Sequence, residues 1–365
     1  MKMRILITFL LIVHGLIHLF GFLKAYNIYQ FEQLTQSISR PQGVLWLLAA
    51  LLFGAAAAFY LGNASVWWGI AFAGVLLSQV LIISNWPDAQ FGTVANLILL
   101  VAALLSWQAQ RFAGQYQSDA RAGLERTQSI PEDTLTEADL QHLPAPVQRY
   151  LQYVGAVGQP KVHSIRVQFD AEMRGKGQDW FSMAAEQYNF FDTDERLFFL
   201  KAKVKGLPAQ GYHLYRGHDA KMDVKLFSVI PVAQAEGAKM FEAETVTMFN
   251  DMCFLAPATL IDKRIKWEPV DDRTVKAAFT NKGVTIRAKL FFNEAGQLIN
   301  FESHDRYDVN AGKKYKFTTP LTDYRSFGNR RGPAYGEAVW HYPDGPFVYG
   351  KFKLKDIVVN PAGAP

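Results

Sequence analysis

Apolar residues dominate the first third of the chain and then give way to a mixed pattern. Four stretches contain no Asp, Glu, Lys or Arg: Ile5–Leu23, Val44–Leu61, Val66–Ile83 and Phe91–Trp107. A transmembrane helix needs about 20 apolar residues, within a range of roughly 17 to 25, and each stretch is long enough. The pattern predicts four membrane-spanning helices with both ends of the bundle on one side of the membrane.

The period of the apolar positions changes in the rest of the chain. Residues 111–143 are polar and predict a juxtamembrane connector. From Val162 onward apolar and polar residues alternate, as they do in half-buried strands, and turns rich in Gly, Asn and Asp separate the runs. We therefore predict a transmembrane bundle at residues 1–110, the connector, and an antiparallel β domain at residues 144–360.

One segment interrupts the strand pattern. Glu236–Leu255 has helical spacing, with an apolar stripe that includes Phe241, Met248, Phe249 and Met252. A large antiparallel sheet has one apolar face to cover, and this is the one long helix that remains to cover it. The sequence predicts an α+β domain in which a strongly curved antiparallel sheet, a half-open barrel, holds this helix in its concavity.

Two further residues join the helix stripe in the predicted ligand cavity of the sheet. Along Leu298–Asp308, strict alternation turns Asp305 inward together with Phe301. A buried carboxylate needs a partner or a shifted pKa, so Asp305 is either a structural ion-pair partner or a site residue. Trp340 is the second of these two residues. Together with Asp305 and the four helix residues it completes the predicted cavity.

Polar side chains within the predicted spans lie at nearly one depth. His14 and His18 are one helical turn apart in the first span, and Gln79 and Asn96 reach the level of His18 in the third and fourth spans. Asp88 lies just beyond them, in the loop between those two spans. Such a cluster is either interhelical hydrogen-bond glue or the lining of a proton, ion or ligand site, and both interpretations stay open.

The composition argues against several kinds of site. Cys253 is the single cysteine, which excludes an intramolecular disulfide and a multi-cysteine metal site, and its apolar surroundings predict burial. Bis-histidine haem ligation usually draws on two helices, whereas only one predicted span contains histidine. A metal would need His14 or His18 with Asp88. We predict no metal and no cofactor, and the net charge of +5 does not indicate nucleic acid.

Short motifs give the chain a family resemblance. They are Leu143–Leu151 (LPAPVQRYL), Gly206–Pro208, Phe249–Cys253, Ala256–Asp262, Asp305–Tyr307 and Tyr335–His341. On these motifs, residues 143–360 resemble an uncharacterised bacterial family defined only as a domain of unknown function. The segment His14–His18 resembles the membrane part of its longer members. Because that family has no agreed activity, the resemblance assigns no catalytic residue.

The β-rich part is also similar in outline to lipoprotein carriers of the LolA and LolB type. Those carriers are half-open barrels that hold acyl chains between a curved sheet and covering helices. Our leading hypothesis is accordingly a non-enzymatic, membrane-anchored module that binds a lipid or other hydrophobic ligand. One alternative makes the bundle a proton, ion or quinone site with the soluble domain as its regulator. Another is a membrane-tethered hydrolase that uses Asp305 or Glu337.

Basic residues near the spans predict the orientation. The loops of the opposite side carry two basic residues, Lys24 and Arg40, whereas the side of the termini carries five: Lys2, Arg4, Arg111, Arg121 and Arg126. The positive-inside rule therefore predicts a multi-pass protein of the bacterial cytoplasmic membrane with its C-terminal domain in the cytoplasm. The carrier resemblance implies the extracytoplasmic side instead. Expected partners are membrane lipid or a hydrophobic small molecule, and a protein partner of the soluble domain stays open.

Overall fold

The computed structural model describes residues 2–32 and 34–363, and it contains two compact units, Met1–Phe112 and Ala113–Pro365. The first unit is helical. Its helices are α1 (Lys2–Ala25), α2 (Arg40–Leu61), α3 (Trp67–Ser84), the single turn α4 (Trp86–Ala89) and α5 (Gly92–Thr127), whose last turns belong to the second unit. All except α4 are long and apolar enough to cross a membrane, which confirms the four predicted candidate spans.

Small residues let the helices of the first unit approach closely. Phe53 is fully buried, and a Cβ atom at Gly15 or Gly74 would lie 3.2 Å from its side chain. Large apolar side chains such as Phe9 and Val80 are instead about 60% exposed. Small residues at helix interfaces and an apolar outer surface are the pattern of a bundle that packs in lipid.

The second unit is built on one antiparallel sheet, which has 13 strands among the described residues. The strands are β1 (Ser164–Met173), β2 (Phe181–Phe190), β3 (Glu195–Val204), β4 (Leu207–Arg216), β5 (Asp219–Leu226), β6 (Ile230–Glu236), β7 (Ile265–Asp271), β8 (Thr274–Asn281), β9 (Val284–Phe292), β10 (Leu298–Ser303), β13 (Lys316–Phe327), β14 (Arg330–Tyr342) and β15 (Gly345–Val359). A separate hairpin consists of β11 (Tyr307–Asp308) and β12 (Lys313–Lys314). β1 pairs with β2 and β15 inside the sheet, whereas β6 and β7 are its edges, so the sheet is curved but not closed.

Two short helices cover one end of this sheet. They are α6 (Glu137–Leu140) and α7 (Ala145–Tyr153). The face of α7 that carries Val147, Tyr150 and Leu151 is fully buried, because the spacing of these residues puts them on one side of the helix. The Tyr150 hydroxyl donates a hydrogen bond of 2.9 Å to the backbone carbonyl of Cys253.

A long helix, α8 (Ala238–Phe254), lies in the concavity of the sheet and contacts both of its halves. Thr245 makes a hydrogen bond with the hydroxyl of Tyr215 on β4, and the side-chain amide of Asn250 donates a hydrogen bond to Thr319 on β13. The helix begins after Gly237, whose φ of +87° is outside the helical region, and a 3₁₀ helix (Pro257–Ile261) follows. This arrangement confirms the predicted fold class.

The opposite face of β2, β3 and β4 is covered by the last turns of α5. Tyr116 stacks on Phe199 with ring centroids 5.0 Å apart and donates a 3.1 Å hydrogen bond to Glu186. Tyr212 donates a 2.8 Å hydrogen bond to Asp119. Residues 113–127 are therefore part of the packed β unit, although their polar composition indicated a connector, because their tyrosines and charged groups meet polar partners on the sheet.

Candidate functional site

The polar side chains of the bundle converge on two buried histidines of α1. His14 Nε2 donates to Asn96 Oδ1 at 2.9 Å, and His18 Nδ1 donates to the backbone carbonyl of His14 at 2.8 Å. Neutral His18 then has an acceptor at Nε2, which lies 2.9 Å from Ser78 Oγ and receives its proton. The same hydroxyl oxygen is 3.3 Å from His14 Nε2. Ser78 thus connects the two imidazoles.

The network continues from the histidines along α3 and α5. Asn96 donates to Gln79 Oε1 at 3.0 Å, and Gln79 donates to Thr93 at 3.2 Å. The structure therefore brings together His14, His18, Gln79 and Asn96 of the predicted cluster. Sequence reasoning missed Ser78, since a serine in a helix usually bonds its own backbone and gives no signal of its own.

Asp88 makes different contacts from the rest of the predicted cluster. Its carboxylate accepts hydrogen bonds from the Thr35 hydroxyl at 2.7 Å and from the Gln36 backbone N–H at 2.8 Å. Asp88 therefore fixes the loop between α1 and α2 to α4 and makes no direct bond to the histidines. Among the described residues, no group of three His, Cys, Asp or Glu side chains is arranged to hold a metal ion.

A cavity of about 290 Å³ lies beside the histidines, entirely within the first unit. His14, His18, Asn85 and Asp88 contribute polar surface, and most of the remaining lining is apolar. The apolar lining residues are Ile17, Phe20, Gly21, Leu34, Ile38, Trp46, Ile82, Ala89, Phe91, Gly92 and Ala95. Three of these, Ile17, Phe20 and Phe91, are 41–83% exposed, so the cavity opens on the apolar outer surface of the bundle.

Trp46 is the residue that most constrains this cavity. Its ring lies 5.0 Å from the His18 ring, and a Cβ atom at Gly21 would come within 2.4 Å of the indole. Only glycine at position 21 leaves room for the ring. The indole Nε1 is buried without a hydrogen-bond partner among the described residues. A buried donor without a partner costs about 1–3 kcal/mol.

The concave face of the sheet is filled by side chains of the protein. Of the predicted cavity residues, Phe241, Met248, Phe249 and Met252 are at most 5% exposed and Trp340 is 8% exposed. The Phe249 ring packs against the rings of Phe279 and Phe301 at 5.3 and 6.0 Å. These side chains therefore form a packed core between α8 and the sheet.

A buried ion network joins α8 to this face. Arg196 on β3 donates from Nε to Asp251 at 2.8 Å, from Nη1 to Glu244 at 3.0 Å and from Nη2 to Gln187 at 2.9 Å. Asp251 also accepts hydrogen bonds from the side-chain amides of Gln187 and Asn189. Because every charge has an opposite partner, the network holds α8 against the sheet and presents no free reactive group.

Asp305 does not face the concave side as alternation predicts. β10 ends at Ser303, and Asp305 lies in an irregular segment where its backbone N–H donates to the Ser303 hydroxyl. Its carboxylate accepts the Arg287 backbone N–H at 2.7 Å. The neighbouring Arg306 instead covers the rings of Phe317 and Trp340. The strand ends before Asp305, so the period of two no longer applies there.

Two crystal structures have a similar outline: a domain from Vibrio parahaemolyticus described as an outer membrane lipoprotein-sorting protein, and a LolA superfamily protein from Nitrosomonas europaea. The first is 9% identical, covers 54% of this chain and 85% of its own, and has a TM-score of 0.33. The second is 12% identical, covers 58% and 93%, and has a TM-score of 0.35. No curated protein matches the chain.

The family assignment comes from the sequence itself. The match to the family of unknown function DUF6544 extends over residues 133–352, which is more than half of the chain. It includes α7, α8 and most strands of the sheet, and thus the motifs on which the resemblance depends. The chain is a member of the DUF6544 family.

Proposed function

We propose that this protein is a membrane-embedded binding protein for a lipid-soluble small molecule, which it holds in the bundle cavity. The observation that carries the proposal is the 290 Å³ cavity, with an apolar entrance and polar groups at its inner end. Small-molecule pockets are typically apolar clefts of about 300–1,000 Å³ with a few orienting polar groups. The cavity is near the lower end of that range, which suits a ring or a polar head better than a whole phospholipid.

The entrance favours a ligand that arrives from the hydrocarbon phase. Ile17, Phe20 and Phe91 form an exposed apolar rim on the surface of the predicted spans. At the inner end the ligand would meet the ring of Trp46 and the His18 imidazole. A ligand could place a polar group beside Asn85 or Asp88, which also line the cavity, while its apolar part stays at the entrance.

The alternative, that the polar cluster only joins the helices by hydrogen bonds, explains less of the geometry. Interhelical hydrogen bonds in membranes are worth about 1 kcal/mol or less each, and they explain why His14, Ser78 and Asn96 meet. They do not explain an open cavity, since close-packed interiors gain dispersion energy by filling such space. A binding site retains the space because its ligand fills it.

A ligand within the sheet is less well supported. The apolar stripe of α8 occupies the concave face, and the Arg196 network fixes the helix there. A lipid between α8 and the sheet would have to displace this packed core. The hydrophobic-ligand hypothesis is therefore placed in the bundle, with the β unit as the part available to a regulator or protein partner.

Replacing His18 by leucine tests the proposed site. The full chain, purified in a nonionic detergent, is expected to retain a small molecule that organic extraction and mass spectrometry detect. The variant loses the Ser78 hydrogen bond and the imidazole surface beside the cavity, so its retained ligand should fall about tenfold or more. Ile12→Leu, at an exposed position of α1, is the matched control. Equal retention by His18→Leu would leave the histidines with a purely structural role.

A further inference from the structure

Arg306 is a half-buried cation that lacks an anionic partner among the described residues. Its guanidinium carbon lies 4.1 Å from the Phe317 ring centroid and 5.1 Å from that of Trp340. Nη1 donates a 2.7 Å hydrogen bond to the Tyr349 hydroxyl. Nε is buried without a hydrogen-bond partner, and Nη2 makes no hydrogen bond within the described part of the chain. Most of the donor capacity of this guanidinium is unused.

Two other arginines of the unit have carboxylate partners. Arg196 has Asp251 and Glu244, and Arg264 has Asp194 and Asp262. Cation–π contacts stabilise a desolvated guanidinium, but they leave its N–H groups without acceptors. A partly buried charge without a counter-ion is costly, so the arrangement is stable only if another interaction offsets that cost.

The groups around Arg306 are donors rather than acceptors. Tyr349 receives its hydrogen bond through the hydroxyl oxygen, so the hydroxyl proton is free to donate. The nearby carboxylate of Asp308 is occupied by the Tyr342 hydroxyl at 2.7 Å and by two backbone N–H groups. Nε is buried, so the unused Nη2 and the free hydroxyl proton are the donors that an acceptor could satisfy. An oxyanion is the best acceptor for such a set.

Arg306 has no carboxylate partner among the described residues, whereas Arg196 has two, Glu244 and Asp251, and adds no net positive charge to this face. His213 also lies on this face, but burial, with Arg196 and Arg306 contributing less, lowers its pKa to about 3, and its imidazole is neutral at physiological pH. An anion near Arg306 would therefore meet one unpaired cation, and the nearby Asp308 carboxylate is occupied by its own donors.

Half-buried aromatic rings adjoin the guanidinium. Trp340 lies 6.1 Å from the Tyr349 ring and 6.3 Å from the Tyr342 ring, and Phe347 lies 6.2 Å from Tyr342. Tyr342, Phe347 and Tyr349 are each only partly covered. The cation therefore sits at the margin of an aromatic surface, which could contact the apolar part of a ligand.

We propose that Arg306 and Tyr349 form an oxyanion-binding site of the β unit, which takes the carboxylate or phosphate of an amphipathic molecule. The guanidinium would hold the oxyanion through Nη2, and the Tyr349 hydroxyl would donate a second hydrogen bond. The aromatic surface would contact the alkyl part. This site lies in the second unit and does not depend on the bundle cavity.

Isothermal titration of the full chain in a nonionic detergent tests this site with four probes: hexanoate, hexyl phosphate, hexanol and inorganic phosphate. Hexanoate and hexyl phosphate should bind the wild type, and hexanol should bind at least tenfold more weakly because it lacks the charge. Arg306→Gln should weaken both anionic probes at least tenfold. Binding of inorganic phosphate with the same dependence on Arg306 would identify a free anion as the ligand.

Arg331→Gln is the matched control, because Arg331 also lies over an aromatic ring, that of Tyr153, which is not part of the proposed site. It should bind the probes as the wild type does. Tyr349→Phe removes only a hydroxyl and should weaken binding several-fold, which keeps the test informative if Arg306→Gln fails to fold. Unchanged affinity in both Arg306→Gln and Tyr349→Phe, or no anionic probe binding to the wild type, would overturn the proposal.

Discussion

Replacing Arg196 by methionine is expected to destabilise the β unit by about 3–5 kcal/mol. The change leaves the carboxylates of Glu244 and Asp251 buried on α8 without their cation. Asp251 keeps only the side-chain amide donors of Gln187 and Asn189. Methionine fills much of the volume of arginine, so the loss reflects uncompensated charge rather than a cavity. The helix in the concavity should be the element that opens.

Cys253 provides the measurement for this prediction. It is the single cysteine, it is fully buried on α8, and burial, with Asp251 second, raises the pKa of its thiol. Labelling by a thiol reagent therefore requires opening of the helix. A loss of 3–5 kcal/mol corresponds to labelling that is roughly two to four orders of magnitude faster.

Arg325→Met is the control, because the Arg325 side chain is 64% exposed and pairs with Asp323 on the surface. Exposed pairs contribute about 0–1 kcal/mol, so labelling of this variant should stay within a few-fold of the wild type. Similar labelling rates for Arg196→Met and Arg325→Met would show that the buried network does not hold α8 in place.

The second large effect is expected at Gly123, where α5 lies closest to the sheet. A Cβ atom there would come within 2.3 Å of the Phe190 ring, so even alanine must displace the helix or the ring. Overpacking of this kind typically costs about 1–3 kcal/mol. Gly114 is on the same helix, and a Cβ atom there would meet nothing within 4 Å. Gly114→Ala should instead stabilise the helix by about 0.5–1 kcal/mol, because alanine has the higher helix propensity.

Hydrogen exchange of the backbone amides in residues 113–127 distinguishes the two alanine variants. In Gly123→Ala these amides should exchange at least about ten times faster than in the wild type, and in Gly114→Ala they should exchange more slowly. Trypsin cleavage at Arg121 should increase only in Gly123→Ala. Slower exchange in both variants would mean that the packing of α5 on Phe190 is loose enough to accept a methyl group.

The parts of the fold that sequence predicts best are those with a long, regular period. The four spans follow from uninterrupted apolar runs, and α8 follows from a helical stripe within a pattern of alternation. The curved sheet is predicted from this helix, because strands must surround an apolar helix in order to cover it on several sides.

Predictions fail where the period of two is locally broken. Alternation predicts that Asp356 faces inward with Leu354, but a bulge opposite Gln168 and Phe169 shifts the register of β15. Asp356 is exposed, and Ile357 packs against the core instead. Because β10 ends early, Arg306 lies on the inner side, where alternation predicts Asp305. No single-sequence pattern marks the position of a bulge or of an early strand end.

The candidate site was predictable in part. Equal depth in antiparallel spans correctly grouped His14, His18, Gln79 and Asn96, because polar side chains in a membrane seek one another. The cavity was not predictable, since it depends on how Trp46 packs against Gly21 and on the loop that Asp88 holds. The unpaired guanidinium of Arg306 likewise depends on tertiary contacts with rings from β13, β14 and β15.

The most direct measurement of the central claim is the amount of small molecule bound per chain when the cavity is filled. Ala95→Phe places a ring in the cavity, whereas Leu97→Phe adds a similar ring at a position on the same helix that is 60% exposed. Native mass spectrometry of the full chain should find about one ligand per chain in the wild type and in Leu97→Phe, and about a tenth of that or less in Ala95→Phe. A wild-type chain without ligand, or equal occupancy in the folded Ala95→Phe variant, would contradict a binding site in the bundle.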